Sequence, residues 1–307
     1  MKKFTLITTI IMAVLAISAC GAGGAQTDAG GISLTDGLQH EVVLEKPAGR
    51  IVSLSPSVTE ILFAVGAGDQ VIGRDSFSNY PAEAGAIQDV GGSMGNYSYE
   101  TIASLEPDLV IASGINTPEQ VSALEKLDVT VYYLSNPDDL EGLYAMLRTV
   151  GELTGHSKEA QVLAASLEDR VDAIASTIAS SKSTPLVFYE LDGSDPAKPW
   201  TPGPGTFLDL LITAAGGKNV GAVLESEWAQ ISIEELLVQD PDLILLGDSI
   251  YGMTPELVST RPGWDGLSAV KDGRLYGFND DLVSRPGPRL VDGLEELARI
   301  IHPELYP

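Results

Sequence analysis

Few residues in this chain have the types and spacing that covalent chemistry needs. Gly91-Gly92-Ser93-Met94-Gly95 matches G-x-S-x-G, which presents a nucleophilic serine on a sharp turn between a buried strand and an immediate helix. Here Ile87-Gln88-Asp89-Val90 is a poor strand, and Asn96 to Tyr99 delays the next helix. Incidental loop glycines explain the match better. The enzyme reading, a secreted serine hydrolase using Ser93, would have to bring His302 and an Asp to that serine. Gly203-Pro204-Gly205 opens a helix but has no Lys-Ser/Thr after it and has Leu208 where a third glycine would stand. It is no phosphate cradle, and its glycines are expected to let backbone approach a neighbour. The histidines His40, His156 and His302 lack ligand spacing, and Cys20 is the only cysteine, so no transition-metal site is expected. No carboxylate stands beside an obvious base or nucleophile. The expectation is a protein that is not an enzyme and has no catalytic cofactor.

What remains is the chemistry of grip. Phe77, Trp200 and Trp228 stand beside Gly or Pro in stretches that read as loops. Arg285 sits in Ser284-Arg285-Pro286-Gly287-Pro288-Arg289, where the prolines hold it rigidly. Flat apolar rings and a fixed cation suit a large, rigid ligand, provided a frame sets them face to face. Each ring alone is equally explained by packing within a lobe.

The frame is organised around Ser157 to Ser180, which has no Gly or Pro. Leu163, Leu167, Val171, Ile174 and Ile178 recur at helical spacing, and Ser157 is the expected N-cap. The helix should be a rod of about 36 Å. Before it, Arg50–Ser55, Gln70–Gly73, Asp108–Ala112 and Val129–Leu134 read as buried strands alternating with helices. After it the pattern restarts at Leu186–Tyr189, with Asp242–Leu246 and Leu275–Phe278 following. The fold class is therefore α/β: two Rossmann-like lobes with parallel sheets joined by a single long backbone helix. The lobes are placed at residues 32–153 and 182–307, with the bridge at 154–181. An ordinary surface helix of one domain is the alternative. A weak repeat supports two lobes: Glu100–Leu109 aligns with Glu234–Leu243 as a short helix, an acidic-Pro-Asp turn and a strand.

Residues 1–19 read as a sorting signal, with Lys2 and Lys3 ahead of an apolar run. Ile17-Ser18-Ala19-Cys20 resembles a bacterial lipobox, which makes Cys20 the expected lipidated first residue, with 20–31 a flexible tether. Without Lys2 and Lys3 the chain carries 16 basic against 43 acidic residues, a net charge of −27, which repels nucleic acid and anionic lipid head groups. An extracytoplasmic protein held at the cell membrane only through its lipid follows.

Several segments together resemble a known family. They are Arg50-Ile51-Val52-Ser53-Leu54-Ser55-Pro56-Ser57-Val58-Thr59-Glu60, Ser78-Asn79-Tyr80-Pro81, Pro107-Asp108-Leu109-Val110-Ile111-Ala112, Trp200-Thr201-Pro202-Gly203, Trp228-Ala229-Gln230-Ile231-Ser232 and Ser284–Arg289. They resemble the substrate-binding proteins of ABC importers whose two lobes are bridged by one helix, the helical-backbone metal-receptor type. Within that family the likeness is to the periplasmic vitamin B12 (cobalamin)-binding proteins, and it runs from Arg50 to Pro303. The resemblance implies cobalamin as the transported ligand, lying between the lobes. It implies contacts from Ser57, Phe77, Trp200, Trp228 and the loop Asp281, Leu282, Val283, Ser284 and Arg285. Phe77 replaces a tyrosine, Leu282 and Ser284 replace Trp and Glu, and Met94 and Ser113 fall near two tryptophan positions of the first lobe. A less aromatic first lobe keeps haem or an iron(III)–siderophore open, with Tyr80, Tyr97 and Tyr99 as candidate axial ligands for haem. The resemblance also implies a monomer that docks on ABC permease subunits through Glu100 and Glu234; first-turn glutamates also stabilise helix N-termini on their own account. A surface adhesion lipoprotein, with no enclosed cleft, is the remaining alternative.

Overall fold

The computed structural model describes residues 31–92 and 95–306. The signal, Cys20, Ser93 and Met94 lie outside the described residues. A hairpin comes first, β1 (Ile32–Thr35) against β2 (Glu41–Leu44). Then β3 (Ile51–Ser53), α1 (Pro56–Ala64), β4 (Val71–Arg74), α2 (Tyr99–Ser104), β5 (Leu109–Ser113), α3 (Pro118–Glu125) and β6 (Val131–Leu134) build the first lobe. α4 (Leu140–Thr154) runs back along it, and α5 (Ser157–Ile178) crosses to the second lobe.

The second lobe contains β7 (Leu186–Glu190), β8 (Trp200–Pro202), α6 (Phe207–Ala214), β9 (Lys218–Asn219), β10 (Trp228–Gln230), α7 (Ile233–Gln239) and β11 (Leu243–Leu246). α8 (Pro255–Ser259), α9 (Ser268–Lys271), β12 (Leu275–Gly277), α10 (Asp281–Ser284) and α11 (Leu290–Ile301) complete it.

Each lobe holds one all-parallel four-stranded sheet, ordered β4-β3-β5-β6 in the first and β9-β7-β11-β12 in the second. With β7 matched to β3, these are the same order. The aligned repeat is equally exact in detail. Ile102 and Leu236 are both fully buried. Glu106 and Asp240 both take positive φ, 46° and 48°. The Asp108 and Asp242 carboxylates both accept backbone N–H groups of the neighbouring strand's start, from Gly49 and Arg50 in one lobe and Leu186 in the other. An acidic residue tolerates the left-handed turn, proline prevents helix continuation, and Asp collects the amides left over where the strand begins.

α5 joins the lobes by its apolar face. Leu167 and Ile174 are buried, Leu163, Val171 and Ile178 pack beside them, and the core they enter includes Leu147 and Leu153 of α4 and Leu294, Leu297 and Ile301 of α11. Its 22 residues make a rod of about 33 Å. Against α4 the backbones come close, since a Cβ on Gly151 would stand 2.4 Å from the Cβ of Ala160. Against α11, Arg170 donates to Asp292 (2.7 Å) and Glu295 (3.1 Å). One sequence expectation is corrected: Ser157 is not the N-cap but the first helical residue, and His156 holds the cap position without a side-chain bond. Gly155 ends α4 in the left-handed conformation, so the chain turns within two residues, one position earlier than Ser157 would require.

Candidate functional site

In both lobes the chain leaves the inner strand to one side and later returns on the other, so the strand order reverses between β3 and β5 and between β7 and β11. Open α/β sheets bind ligands at the carboxyl ends of strands beside such a reversal. The residues singled out from sequence lie there. Ser57 opens the helix after β3, Phe77 follows β4, Trp200 and Trp228 follow β7 and β9, and the Asp281–Arg285 turn follows β12.

Trp200 and Trp228 are not in loops. They begin β8 and β10, which pair antiparallel with Trp228 opposite Pro202 and Gln230 opposite Trp200. Opposed residues share a face, so both indoles stand on one side of the ribbon, 39% and 48% exposed, while Thr201 faces the interior. Strands of only three residues, one of them holding a proline, carry no readable alternation, which is why sequence suggested loops. The ribbon is pinned from behind. Gly203 donates to Glu227 O at 2.6 Å, and a Cβ there would meet Ser226 O at 2.0 Å, so the glycine serves close backbone approach as expected. The Asn219 amide reaches Pro202 O (2.9 Å) and Asp209 (3.0 Å). Upstream, the loop leading to Trp200 rests on a buried pair, Glu190 with Arg261, whose guanidinium stacks on Trp264 at 4.5 Å, and on Asp248, which accepts Gly193 N–H at 2.9 Å. Burial lifts both carboxyls above their ordinary range, against the pull of Arg261.

In the first lobe Phe77 is 56% exposed, and its backbone is fixed by Asp75, which accepts Phe77 N–H at 2.9 Å and the Ser78 hydroxyl. Thr59 links Ser78 (2.7 Å) to Ser53 (2.8 Å), tying this loop to β3. Burial raises the Asp75 carboxyl, opposed chiefly by the Ser78 hydrogen bond. Ser57 is buried, with its hydroxyl 3.1 Å from that of Ser55, the N-cap of α1. Tyr97 donates to Leu54 O and accepts from Asn116, both at 2.8 Å, and burial pushes its phenol up to about 12. That hydroxyl is a brace, not an open ligand.

The lobes meet at a charge cluster that sequence reasoning saw only in part. Arg285 donates to Glu60 (3.1 Å) and Asn79 (2.8 Å) across the seam and pairs with Asp281 (2.8 Å) on its own side. Arg289 grips both Glu60 oxygens at 2.6 and 2.7 Å and lies 4.0 Å over the Tyr80 ring. Behind the cluster, a cavity of about 630 Å³ is bounded by Phe63, Tyr80, Leu163, Leu167 and Arg289. Glu60 was not singled out, because a helical glutamate in sequence looks like a solvated one.

Other expected contacts are placed differently. Ser113 ends β5 fully buried, and the exposed large apolar residue of that turn is Ile115. Val283 is buried in the core, Asp281 and Leu282 are half-buried, and Ser284 is exposed. The equivalent turn after β11 exposes Ile250 and Tyr251, the latter at 86%, which sequence reasoning missed. Glu100 and Glu234 are exposed at matching first-turn positions of α2 and α7. His302 is buried in the second lobe beside Gly216 and Ser181, whereas Gly92 packs on Asp75 and Tyr97 of the first, so Gly92 and His302 lie in different lobes. Among the described residues no cluster of His, Cys, Asp and Glu could hold a metal, and no helix is long and apolar enough to cross a membrane.

The periplasmic binding protein family matches residues 51–282. The chain belongs to this family. It is a substrate-binding protein of the ABC-importer class, close to the vitamin B12-binding proteins. It is 31% identical, over 99% of both chains, to the uncharacterized ABC transporter substrate-binding lipoprotein YvrC of Bacillus subtilis. A cobalamin-binding protein of Halobacterium salinarum is 30% identical over 87% of this chain and 73% of its own. Among solved structures, the periplasmic vitamin B12-binding protein BtuF of Vibrio cholerae superposes with a TM-score of 0.71 at 28% identity, covering 83% of this chain and 97% of its own. The periplasmic haem-binding protein RhuT of Roseiflexus sp. RS-1 does so at 0.75 and 28%, covering 84% and 99%. The family is extracytoplasmic, and these relatives are binding proteins.

Proposed function

We propose that this protein captures cobalamin or a related corrinoid between its lobes and delivers it to an ABC permease. The observation that carries the reading is the indole platform: two tryptophans on one face of one pinned ribbon, at the carboxyl ends of the second-lobe sheet. A corrin is broad, rigid and fringed with neutral amides, and Trp200, Trp228 and Phe77 offer flat apolar surface to such a body. Arg285 and Asp281 supply polar contacts at the rim. Cobalamin-binding relatives at 28–30% identity agree with the reading.

Haem is the second reading, favoured by the likeness to RhuT. Against it, Tyr97 is doubly hydrogen-bonded with a phenol pushed up to about 12, so a tyrosinate there is disfavoured. Delivery is assigned to Glu100 and Glu234 as permease contacts, one from each lobe. Residues 1–19 are read as a cleaved signal, Cys20 as the lipid anchor, and the receptor as a monomer. Titration calorimetry with cyanocobalamin, hemin and ferric siderophores tests the ligand. Tight, metal-independent binding of cyanocobalamin alone is expected, and binding of hemin or a siderophore without cyanocobalamin overturns the corrinoid assignment.

A further inference from the structure

Glu60 sits on α1 of the first lobe with its side chain almost completely buried. Among the described residues, every hydrogen bond its carboxylate accepts comes from the second lobe. Arg289 gives a two-pronged grip, Nε to Oε2 at 2.7 Å and Nη2 to Oε1 at 2.6 Å. Its guanidinium also lies on Tyr80, so the first lobe holds it by both its edge and its face. Arg285 is held differently. Its Nη1 is divided between Glu60 Oε1 (3.1 Å) and Asn79 Oδ1 (2.8 Å), and its Nη2 meets Asp281 Oδ1 (2.8 Å). A guanidinium carries five N–H groups. Among the described residues the Nε hydrogen of Arg285 has no hydrogen-bond partner, and Nη2 makes only the ion pair with Asp281. A buried carboxylate without its cations carries a large desolvation cost, so Glu60 favours whatever lobe angle keeps Arg289 in place.

We propose that Glu60 is the positioning residue of the cleft, clasping the second lobe through Arg289 while holding Arg285 by Nη1 and leaving its Nε–H for a ligand. The division of labour also bears on specificity, and this part rests on the corrinoid reading. Glu60 and Asp281 balance Arg285 and Arg289, so the cluster offers hydrogen bonds without net positive charge. It suits a ligand with amide or zwitterionic rims better than a polyanion.

The test measures the clasp without ligand first. In the full chain with Cys20→Ser, spin labels at Lys126→Cys and Glu256→Cys, both exposed and one on each lobe, report the inter-lobe distance by pulsed electron resonance. Glu60→Gln should broaden that distribution, and so should Arg289→Lys, which keeps the charge but loses the fork. Arg285→Gln, which removes the divided Nη1 contacts to Glu60 and Asn79 but leaves the two-pronged grip of Arg289, should broaden the ligand-free distribution less than Arg289→Lys, yet weaken cyanocobalamin binding about tenfold or more. Should Glu60→Gln fail to fold, Arg289→Lys carries the test. An unchanged distribution in Arg289→Lys, or equal broadening in Arg285→Gln, overturns the proposal. A parent chain that does not bind cyanocobalamin defeats the corrinoid reading, and the distance measurement still decides the clasp.

Discussion

Replacing Trp228 or Trp200 by Ala probes the platform most directly. A tryptophan presents up to roughly 250 Å². With Trp228 48% and Trp200 39% exposed, about 120 and 100 Å² respectively are open to a ligand. At about 25 cal/mol per Å², covering all of it would contribute roughly 3 and 2.5 kcal/mol. A flat ligand shields one ring face, so about half is the better figure, near 1.5 kcal/mol or a tenfold rise in Kd for each substitution. Because more than half of each indole is already covered in the free protein, truncation should also cost roughly 1–3 kcal/mol of unfolding stability, so affinity is compared only where the variant is fully folded. Calorimetric titration with cyanocobalamin gives the affinity and urea denaturation gives the control. Fluorescence adds a second readout, since the remaining tryptophan, Trp264, is fully buried in the second lobe and far less open to contact quenching. Unchanged affinity, within twofold, in both single variants and in the double variant would refute the platform argument.

Other outcomes follow from the same geometry. Asp75→Asn can still accept from Phe77 N–H through its carbonyl oxygen, and it removes a carboxyl whose folded pKa is raised by burial. Such a group stabilises the fold most below its unfolded pKa, and that contribution is lost as pH rises through the folded value. Relative to the parent, the variant should therefore gain stability as pH climbs above about 4, read by urea titrations from pH 4 to 7; a pH-independent difference would contradict the assignment. Gly151→Val forces atoms against Ala160 at the α4–α5 crossing and should cost about 1–3 kcal/mol in denaturation, with no repair possible by rotamer change alone. Glu100→Arg with Glu234→Arg should abolish uptake in cells while leaving ligand binding by the purified protein intact; unimpaired uptake would remove both from the docking surface.

Much of the architecture is written locally. Apolar runs such as Leu243–Leu246 can only be strands buried on both faces, and the Glu-Pro-Asp and Asp-Pro-Asp turns recur because each residue solves one backbone problem. That Ser157–Ile178 is a long helix follows from its spacing, whereas its place between the two sheets is one of two readings the spacing allows. The Ile17–Cys20 stretch likewise reads locally, as the expected lipid-attachment signal, and it lies outside the described residues. Tertiary structure decided what locality cannot. Trp200 and Trp228 share a face only because two three-residue strands meet in one register, and pairing across nearly thirty residues leaves no periodic trace. Ser113 and Ile115 exchange roles because the end of β5 is sealed by packing, which composition does not report. Glu60 is the sharpest case. Its partners are more than 220 residues away, and a glutamate in a helix acquires its meaning only when two folded lobes bury it against Arg285 and Arg289, because desolvation and pairing belong to the seam rather than to either segment.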